Sequence, residues 1–226
     1  MIIEKVRGYV VDPLGFDKSG HGMEHVDRVL NLSLKFAEKE NANKDIVALI
    51  ALLHDVDDYK LFGESNADSL VNAKSIMNKC GIDKEIQKLV CDALGEIGYS
   101  KRLSGCVPST IESKVVADAD MCDSSGVNGI LRTYAYNTSK GSAFFDRNVF
   151  PRLNMSAEEY KKAKTSTAVS FIFEKILKLK DLMLTKSGKA EAVKRHEIVV
   201  DFLCHLFEEE NAPEWTKYLD NYLKQL

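Results

Sequence analysis

The sequence predicts an all-α fold, a single-domain helical bundle, on three observations. Apolar residues recur at intervals of three and four along most of the chain, as in helices that bury one face. No segment shows the apolar–polar alternation of a half-buried strand. Residues 43–56, NKDIVALIALLHDV, are apolar on nearly every side, which indicates a central helix surrounded by the rest of the domain. The 226 residues, 45% of them hydrophobic, are enough to bury a core around it.

The individual helices are predicted from this periodicity and from residues that favour helix ends. The predicted helices are residues 24–41, 43–56, 66–81, 83–98, 108–123, 128–138, 156–184, 188–210 and 212–226. Asn41 and Gly81 are suited to helix C-termini, and Asp83 is suited to an N-cap. Ser109 or Thr110 would cap the fifth helix. The helix at 156–184 is long, and a break in its middle is left open.

One stretch reads as an ordered but irregular loop, from Lys140 to Met155. It contains Gly141, Pro151 and several polar residues. Long loops in compact domains often cover functional sites.

The composition excludes some functions. A net charge of −3 shows no basic surplus for binding a nucleic-acid duplex, although a local basic pocket for a small anion is compatible with it. The N-terminal MIIEKVRGYV carries early charges and no long apolar run, so neither a signal peptide nor a membrane anchor is expected. Five cysteines without paired spacing favour reduced thiols in a cytoplasmic protein.

Two imidazoles and two carboxylates are candidate metal ligands. The pair His54-Asp55 ends the central aliphatic helix, with His25 upstream and Asp120 in an Asp-rich segment downstream. A lone His-Asp pair is weak evidence, but this ordered arrangement is stronger. The mixed nitrogen and oxygen set suits one divalent ion, Mn, Mg, Fe, Co, Ni or Zn, and does not choose among them.

Helix geometry predicts how these residues would share an ion. Adjacent helical residues point about 100° apart. His54 and Asp55 can therefore meet one ion only over the flank of their helix, and the other ligands must come from neighbouring helices. Open positions of the ion would accept a water and lower its pKa. Asp58, one turn after Asp55 and on roughly the same face, is the candidate general base; the alternative is a solvated carboxylate at the helix end.

Four segments also carry a family resemblance. They are GHGMEHVDRV, ALIALLHDVDDYK, VVADADMCDSSGVNGILRTYAY and FEKILKLKDLMLTKSGKAEAVKRHEIVVDFL. With them the chain resembles the HD-domain superfamily of metal-dependent phosphohydrolases, and within it the stand-alone bacterial hydrolases close to the YedJ type. The resemblance extends from about His21 to about Phe207. It includes LKLKDLMLTKSGK, residues 177–189, which a generic HD domain would not carry.

The resemblance implies an all-α fold, one divalent metal ion and hydrolysis of phosphate esters or anhydrides, often in nucleotides, through a metal-activated water. It also implies one domain over residues 1–226, with an HD core at about 20–125 and a C-terminal helical part at about 126–226 packed on it. His25 takes the first ligand position, His54 and Asp55 the central pair, and Asp120 the last.

Three carboxylates in DADMCD compete for that last position. Asp120 is preferred because the family places its ligand three residues before a second Asp, here Asp123. Asp118 would then either contact the ligand residues without binding the ion or lie on the helix surface.

The chain departs from its relatives at three positions. Ile97 and Phe171 stand where relatives commonly have His, and Gly22 stands where an acidic residue usually follows the first His. The missing imidazoles argue against a second metal. They also motivate an alternative function, a metal- and nucleotide-binding regulatory module with weak or no catalysis.

Cationic side chains would hold the phosphate of the expected substrate, a small molecule and most simply a nucleotide. The candidates are Lys60, Lys101, Arg132, Lys178 and Lys180. We favour Arg132, three helical turns past Asp120, and include Lys101; His21 is a further candidate for substrate contact. The sequence leaves the oligomeric state open.

Overall fold

The computed structural model describes residues 2–15, 22–156, 158–159 and 167–225, without the side chain of Lys60. All regular structure in those residues is helical, and they contain no strand, which confirms the predicted fold class. In chain order the helices are α1 (Ile2–Leu14), α2 (Met23–Glu40), α3 (Lys44–Leu53), α4 (Tyr59–Phe62), α5 (Glu64–Ser69), α6 (Val71–Cys80), α7 (Lys84–Glu96), α8 (Tyr99–Leu103), α9 (Ile111–Asp123), α10 (Gly126–Ser139), α11 (Ala168–Glu174), a 3₁₀ helix (Ile176–Leu182), α12 (Lys186–Glu209) and α13 (Pro213–Leu223).

The chain divides into two compact units. The N-terminal unit contains the residues up to Asp120 together with Leu184–Gly188, and the C-terminal unit contains Met121–Met183 and Lys189–Leu226. The sequence-based division into a core and a C-terminal part of one domain stays a prediction.

Helix α3 is the centre of the N-terminal unit. Every residue from Val47 to Leu53 is buried, and α3 packs against α1, α2 and α7. Its start is held by Asn43, whose side chain accepts hydrogen bonds from the backbone amides of Asp45 and Ile46. The apolar circumference seen in the sequence is therefore matched by helices on several sides, because an exposed face would leave aliphatic surface in water.

Several helix ends lie where the sequence predicts them. Asn41 and Gly81 both adopt the left-handed conformation that ends a helix, with φ of 54° and 72°. The Asp83 side chain accepts from the amide of Glu85, 2.8 Å away, and so caps α7. Thr110 Oγ1 accepts from the amide of Ser113 at 3.1 Å at the start of α9.

Two predicted helices are interrupted. The helix predicted at 66–81 divides into α5 and α6 at Leu70, which has a left-handed φ of 51°. The long helix predicted at 156–184 is not continuous: α11 ends at Glu174, and a 3₁₀ helix follows Lys175. Residues 160–166 of that prediction lie outside the described residues.

The C-terminal unit is built around aromatic side chains. Trp215, Phe173 and Phe207 are fully buried, with ring centroids 5.6–6.4 Å apart. The Tyr222 hydroxyl donates to the carbonyl of Phe173 at 3.0 Å. Residues 140–155 contain no helix, as predicted, and this loop is held by the Arg152 amide, which donates to the buried Glu174 carboxylate.

Two further findings bear on the sequence-based expectations. Among the described residues, no helix combines the length and apolar character needed to cross a membrane. Each of the five cysteines is a free thiol.

Candidate metal centre

Two buried imidazoles face each other in the N-terminal unit. His25 lies in the first turn of α2, and His54 directly follows the last residue of α3. Their Nε2 atoms are 3.0 Å apart, and the rings meet edge to face. Both side chains are only 2% exposed.

Two carboxylates point at the same pair of nitrogens. Asp55 Oδ2 is 3.3 Å from His25 Nε2 and 3.5 Å from His54 Nε2. Asp120 Oδ1 is 3.5 Å and 4.0 Å from the same two atoms. The structure therefore brings together all four residues that the sequence identifies as ligands, from α2, the end of α3 and α9.

The tautomer of His54 follows from its other ring nitrogen. Nδ1 lies 2.8 Å from the carbonyl oxygen of Ala51. Because a carbonyl only accepts, Nδ1 carries the proton and donates, and Nε2 is left with its lone pair directed at His25 and the carboxylates. A backbone acceptor of this kind is the usual way to orient a metal-binding imidazole.

The donor set fits a divalent metal ion. Ligand atoms of His25, His54 and Asp120 all lie within 4.8 Å of one another, so this group could hold one. Neighbouring ligands in an octahedral shell with bonds of about 2.1 Å are about 3.0 Å apart and opposite ligands about 4.2 Å apart. The measured separations of 3.0–4.0 Å fall in that range. Imidazole nitrogens with carboxylate oxygens suit Mn, Fe, Co, Ni or Zn, and the identity of the ion is not determined by them.

The His-Asp pair does not lie inside a helix, which corrects the geometry expected from the sequence. Helix α3 ends at Leu53, His54 is its C-cap, and residues 54–57 form a turn. His54 and Asp55 therefore reach the same point through a change in chain direction, not over the flank of a continuous helix.

Asp57 holds this turn, a role that the sequence analysis missed. Its two carboxylate oxygens accept from the amides of Asn72 and Ala73, each at 2.9 Å, at the start of α6. The Asn72 side chain donates back to the carbonyl of Val56 at 2.8 Å. Because the partner lies 15 residues away, no local pattern could have identified Asp57 as a cap.

Asp58 begins the next helix. Its amide donates to the carbonyl of Asp55 at 3.1 Å, and its own carbonyl accepts from Leu61 and Phe62. The argument that Asp58 shares a helical face with Asp55 is therefore wrong, because no helix joins them. The half-buried side chain is close in sequence to the centre, and its role as a base stays a prediction.

Asp118 is hydrogen-bonded to another segment than the candidate metal ligands and is not on the helix surface. It is 1% exposed and accepts from the amides of Leu184 and Thr185 and from the Thr185 hydroxyl. Burial raises the pKa of its carboxyl above the ordinary value, and these hydrogen bonds oppose the shift. The surface alternative considered for Asp118 is wrong.

The cations predicted to bind substrate are engaged with the chain itself. Lys101 Nζ donates to the carbonyl of Leu94 at 3.0 Å, near the end of α7. In the C-terminal unit Arg132 Nη1 lies 2.9 Å from Oδ2 of the buried Asp123. Substrate contact by either residue stays a prediction.

The remaining candidates differ in what the structure describes. Lys178 donates to the carbonyl of Leu153, and burial lowers the pKa of its ammonium group. Lys180 Nζ lies 3.4 Å from Asp181 Oδ1. His21 and the side chain of Lys60 lie outside the described residues. Ile97, which the sequence analysis placed where relatives commonly have His, is buried at the C-terminus of α7.

Comparison with known proteins adds a family match. Residues 22–125 match the HD domain family. The chain is 31% identical to a solved HD-superfamily hydrolase from Bacillus thuringiensis, over 93% of this chain and 97% of the other, with a TM-score of 0.71. It is 30% identical to a solved Lactobacillus plantarum protein, over 95% and 97% of the two chains, with a TM-score of 0.78.

A third relative was crystallised with a nucleotide. Bacillus subtilis YpgQ is 29% identical to this chain over 204 residues, which are 90% of this chain and 91% of YpgQ. The structure of YpgQ in complex with ADP superimposes with a TM-score of 0.68, 27% identity and coverage of 92% and 97%. These three relatives match 90–95% of this chain, including residues beyond the HD domain match.

Proposed function

Because the chain belongs to the HD superfamily of hydrolases, we propose that it is a divalent-metal-dependent phosphohydrolase acting on a nucleotide or a similar small phosphate ester or anhydride. The observation that carries this proposal is the pair of imidazole nitrogens 3.0 Å apart, with one oxygen of Asp55 and one of Asp120 each 3.3–4.0 Å from both nitrogens. Imidazole nitrogens and carboxylate oxygens are the donor types that bind divalent ions of this class.

The charges of the site support metal dependence. Asp55 and Asp120 present carboxylates where an anionic phosphate would have to approach, and unscreened like charges repel strongly in a partly buried site. A divalent ion held by His25, His54, Asp55 and Asp120 would offset that repulsion, lower the pKa of a water molecule and polarise a phosphoryl oxygen.

The other roles belong to side chains of the chain. Asp58, three residues beyond Asp55, would accept the proton of the attacking water. Lys101, Arg132 and His21 would hold phosphate oxygens, for which the first two must exchange their present partners. The nucleotide as substrate class is supported by the ADP complex of YpgQ, a relative over nearly the whole chain.

The test is a screen for release of phosphate and pyrophosphate from nucleoside mono-, di- and triphosphates. It is run with Mn, Mg, Co, Ni, Fe and Zn and with a chelator. The parent should release one of the two products only with metal, and Asp55→Ala should be inactive. Asp92→Ala, which removes an exposed carboxylate on α7, is the matched control and should act as the parent does.

The screen also decides on the alternative function. Ile97 and Phe171, in place of the imidazoles of relatives, are the observation that favours a regulatory module. A parent that binds metal and nucleotide but releases neither product with any of the six ions would reject the hydrolase proposal and support that module.

A further inference from the structure

Asp118 has an unusually complete set of partners for a carboxylate that is 1% exposed. Oδ1 accepts from the amide of Leu184 at 2.9 Å. Oδ2 accepts from the amide of Thr185 at 2.8 Å and from its hydroxyl at 2.7 Å. Both oxygens of Asp118 therefore accept hydrogen bonds from the Leu184–Thr185 segment.

The partners of Asp118 form the start of α12. Thr185 Oγ1 accepts from the amide of Gly188 at 2.9 Å, so its hydroxyl proton is directed at Asp118 and its lone pair caps the helix. The fit is close at Gly188, where a Cβ atom would lie 2.2 Å from Asp118 Oδ2. Only glycine fits there without moving the carboxylate or the helix.

This segment, Leu184–Gly188, lies within residues 177–189, which the family resemblance identified as absent from a generic HD domain. It belongs to the N-terminal unit although most of its neighbours in sequence belong to the other one. A second carboxylate also holds it, because Glu40 at the end of α2 accepts from the amide of Ser187 at 2.7 Å. The hydrogen bond from Ser187 is the main reason that the pKa of Glu40 is lowered.

Asp118 and Asp120 are two residues apart on α9, which places them about 200° apart around the helix. One side of α9 is therefore fastened to Leu184–Gly188 while the other directs Asp120 at His25. We propose that Asp118 is a positioning residue, which fixes the rotation of α9 and thereby the carboxylate of Asp120 in the metal centre. This inference rests on the proposed function only in that the centre holds a divalent ion.

The physical reason is the rigidity of the contact. A ligand carboxylate must be held to within about 0.5 Å to bind an ion well. Asp120 is 23% exposed, whereas Asp118 is buried with three donors. Loss of those donors would let the last turn of α9 rotate or fray, and the separation between Asp120 and the imidazoles would no longer be fixed.

The experiment measures Co²⁺ binding by titration calorimetry and by the visible spectrum of the bound ion, which reports ligand geometry. Asp118→Asn, which keeps the size but replaces an acceptor by a donor, should raise the dissociation constant by roughly 10- to 100-fold and alter the spectrum. Thr185→Val should act in the same direction, and Thr185→Ser, which retains the hydroxyl, should bind as the parent does. If Asp118→Asn does not fold, the Thr185 pair carries the test.

Glu40→Gln is the control for a general effect on stability. This variant weakens the attachment of Leu184–Gly188 to the end of α2, which is far along that helix from His25. It should lower the melting temperature by about as much as Asp118→Asn does, and it should leave the Co²⁺ affinity unchanged. Equal weakening of Co²⁺ binding by Glu40→Gln, or parent-like binding by both Asp118→Asn and Thr185→Val, would overturn the inference. A parent that binds Co²⁺ but hydrolyses nothing rejects the proposed function alone, whereas a parent that binds no divalent ion rejects both.

Discussion

Single atoms set the chemistry of the N-terminal unit. His54 Nδ1 donates to Ala51, so its Nε2 lone pair faces His25 Nε2 at 3.0 Å. Two carboxylates lie within 4.0 Å of these nitrogens. A divalent ion bound at this point would accept the nitrogen lone pairs and offset the two negative charges.

Asp55→Ala should remove the ion from the protein. The parent, purified without chelator, should carry about one equivalent or less of divalent metal. The variant should carry less than the parent, because it loses one of the two carboxylates and keeps only His25, His54 and Asp120 to hold the ion. Elemental analysis measures both; unaltered metal content in Asp55→Ala, or two tightly held equivalents in the parent, would contradict the single-ion centre.

Asp58→Asn should separate proton transfer from metal binding. The amide keeps the size of the side chain but cannot act as a base. Turnover should fall by roughly 10²- to 10⁴-fold with metal content intact. Steady-state kinetics beside metal analysis decide the point, and a variant that turns over like the parent would exclude Asp58 as the base.

Arg132→Ala should lower stability as well as affinity for substrate. Asp123 is buried and loses the guanidinium 2.9 Å from its carboxylate, which should cost roughly 1–3 kcal/mol in the free energy of unfolding. If Arg132 also binds phosphate, the Michaelis constant rises at temperatures where the variant is fully folded. Denaturant unfolding and kinetics together distinguish these roles. Arg132→Lys, which retains a charge, should change the free energy of unfolding and the Michaelis constant less than Arg132→Ala does.

Some helix ends could be predicted from nearby residues, whereas others depend on contacts with distant parts of the chain. Asn41, Gly81 and Asp83 end or begin helices as their residue types predict, because a left-handed C-cap and a side-chain N-cap depend on nearby backbone atoms. The break at Leu70 has no such signal. Because α6 begins after this break, the amides of Asn72 and Ala73 have no partner within the helix, and they donate to the carboxylate of Asp57.

Leu52→Asp should prevent folding. Leu52 is fully buried in α3, where a carboxylate would have neither water nor a cation. Its burial costs several kcal/mol, comparable with a total stability of about 5–15 kcal/mol. Circular dichroism and the yield of monodisperse protein measure the outcome. Leu89→Asp, at a half-exposed position of α7, should fold normally; a folded Leu52→Asp would mean that α3 is not enclosed.

For the whole molecule, metal binding should be linked to folding. Three separate elements supply the ligands, so an unfolded chain cannot assemble the centre and the ion stabilises the native state. At a free ion concentration of 100 times the dissociation constant, the free energy of unfolding should rise by about 2.7 kcal/mol. Thermal unfolding with Mn²⁺ or Co²⁺ and with chelator measures this, and Asp55→Ala should lose the response. A parent whose melting temperature ignores both ions would contradict the linkage.

The sequence by itself determined the helical class and the central position of α3, which depend on periodicity and on apolar surface, both properties of short segments. It also proposed the four candidate ligands, from residue type and, for the choice of Asp120, from the family resemblance. It did not determine that α3 stops at Leu53, that Asp57 caps α6 or that Asp118 holds Leu184–Gly188. The contacts of Asp57 and Asp118 depend on partners 15 and 67 residues away, and only the tertiary structure brings such atoms within hydrogen-bonding distance. The partners of Lys101 and Arg132 are only 7 and 9 residues away, but they lie on other helices or beyond a turn, so the structure was needed to show that these charges contact Leu94 and Asp123.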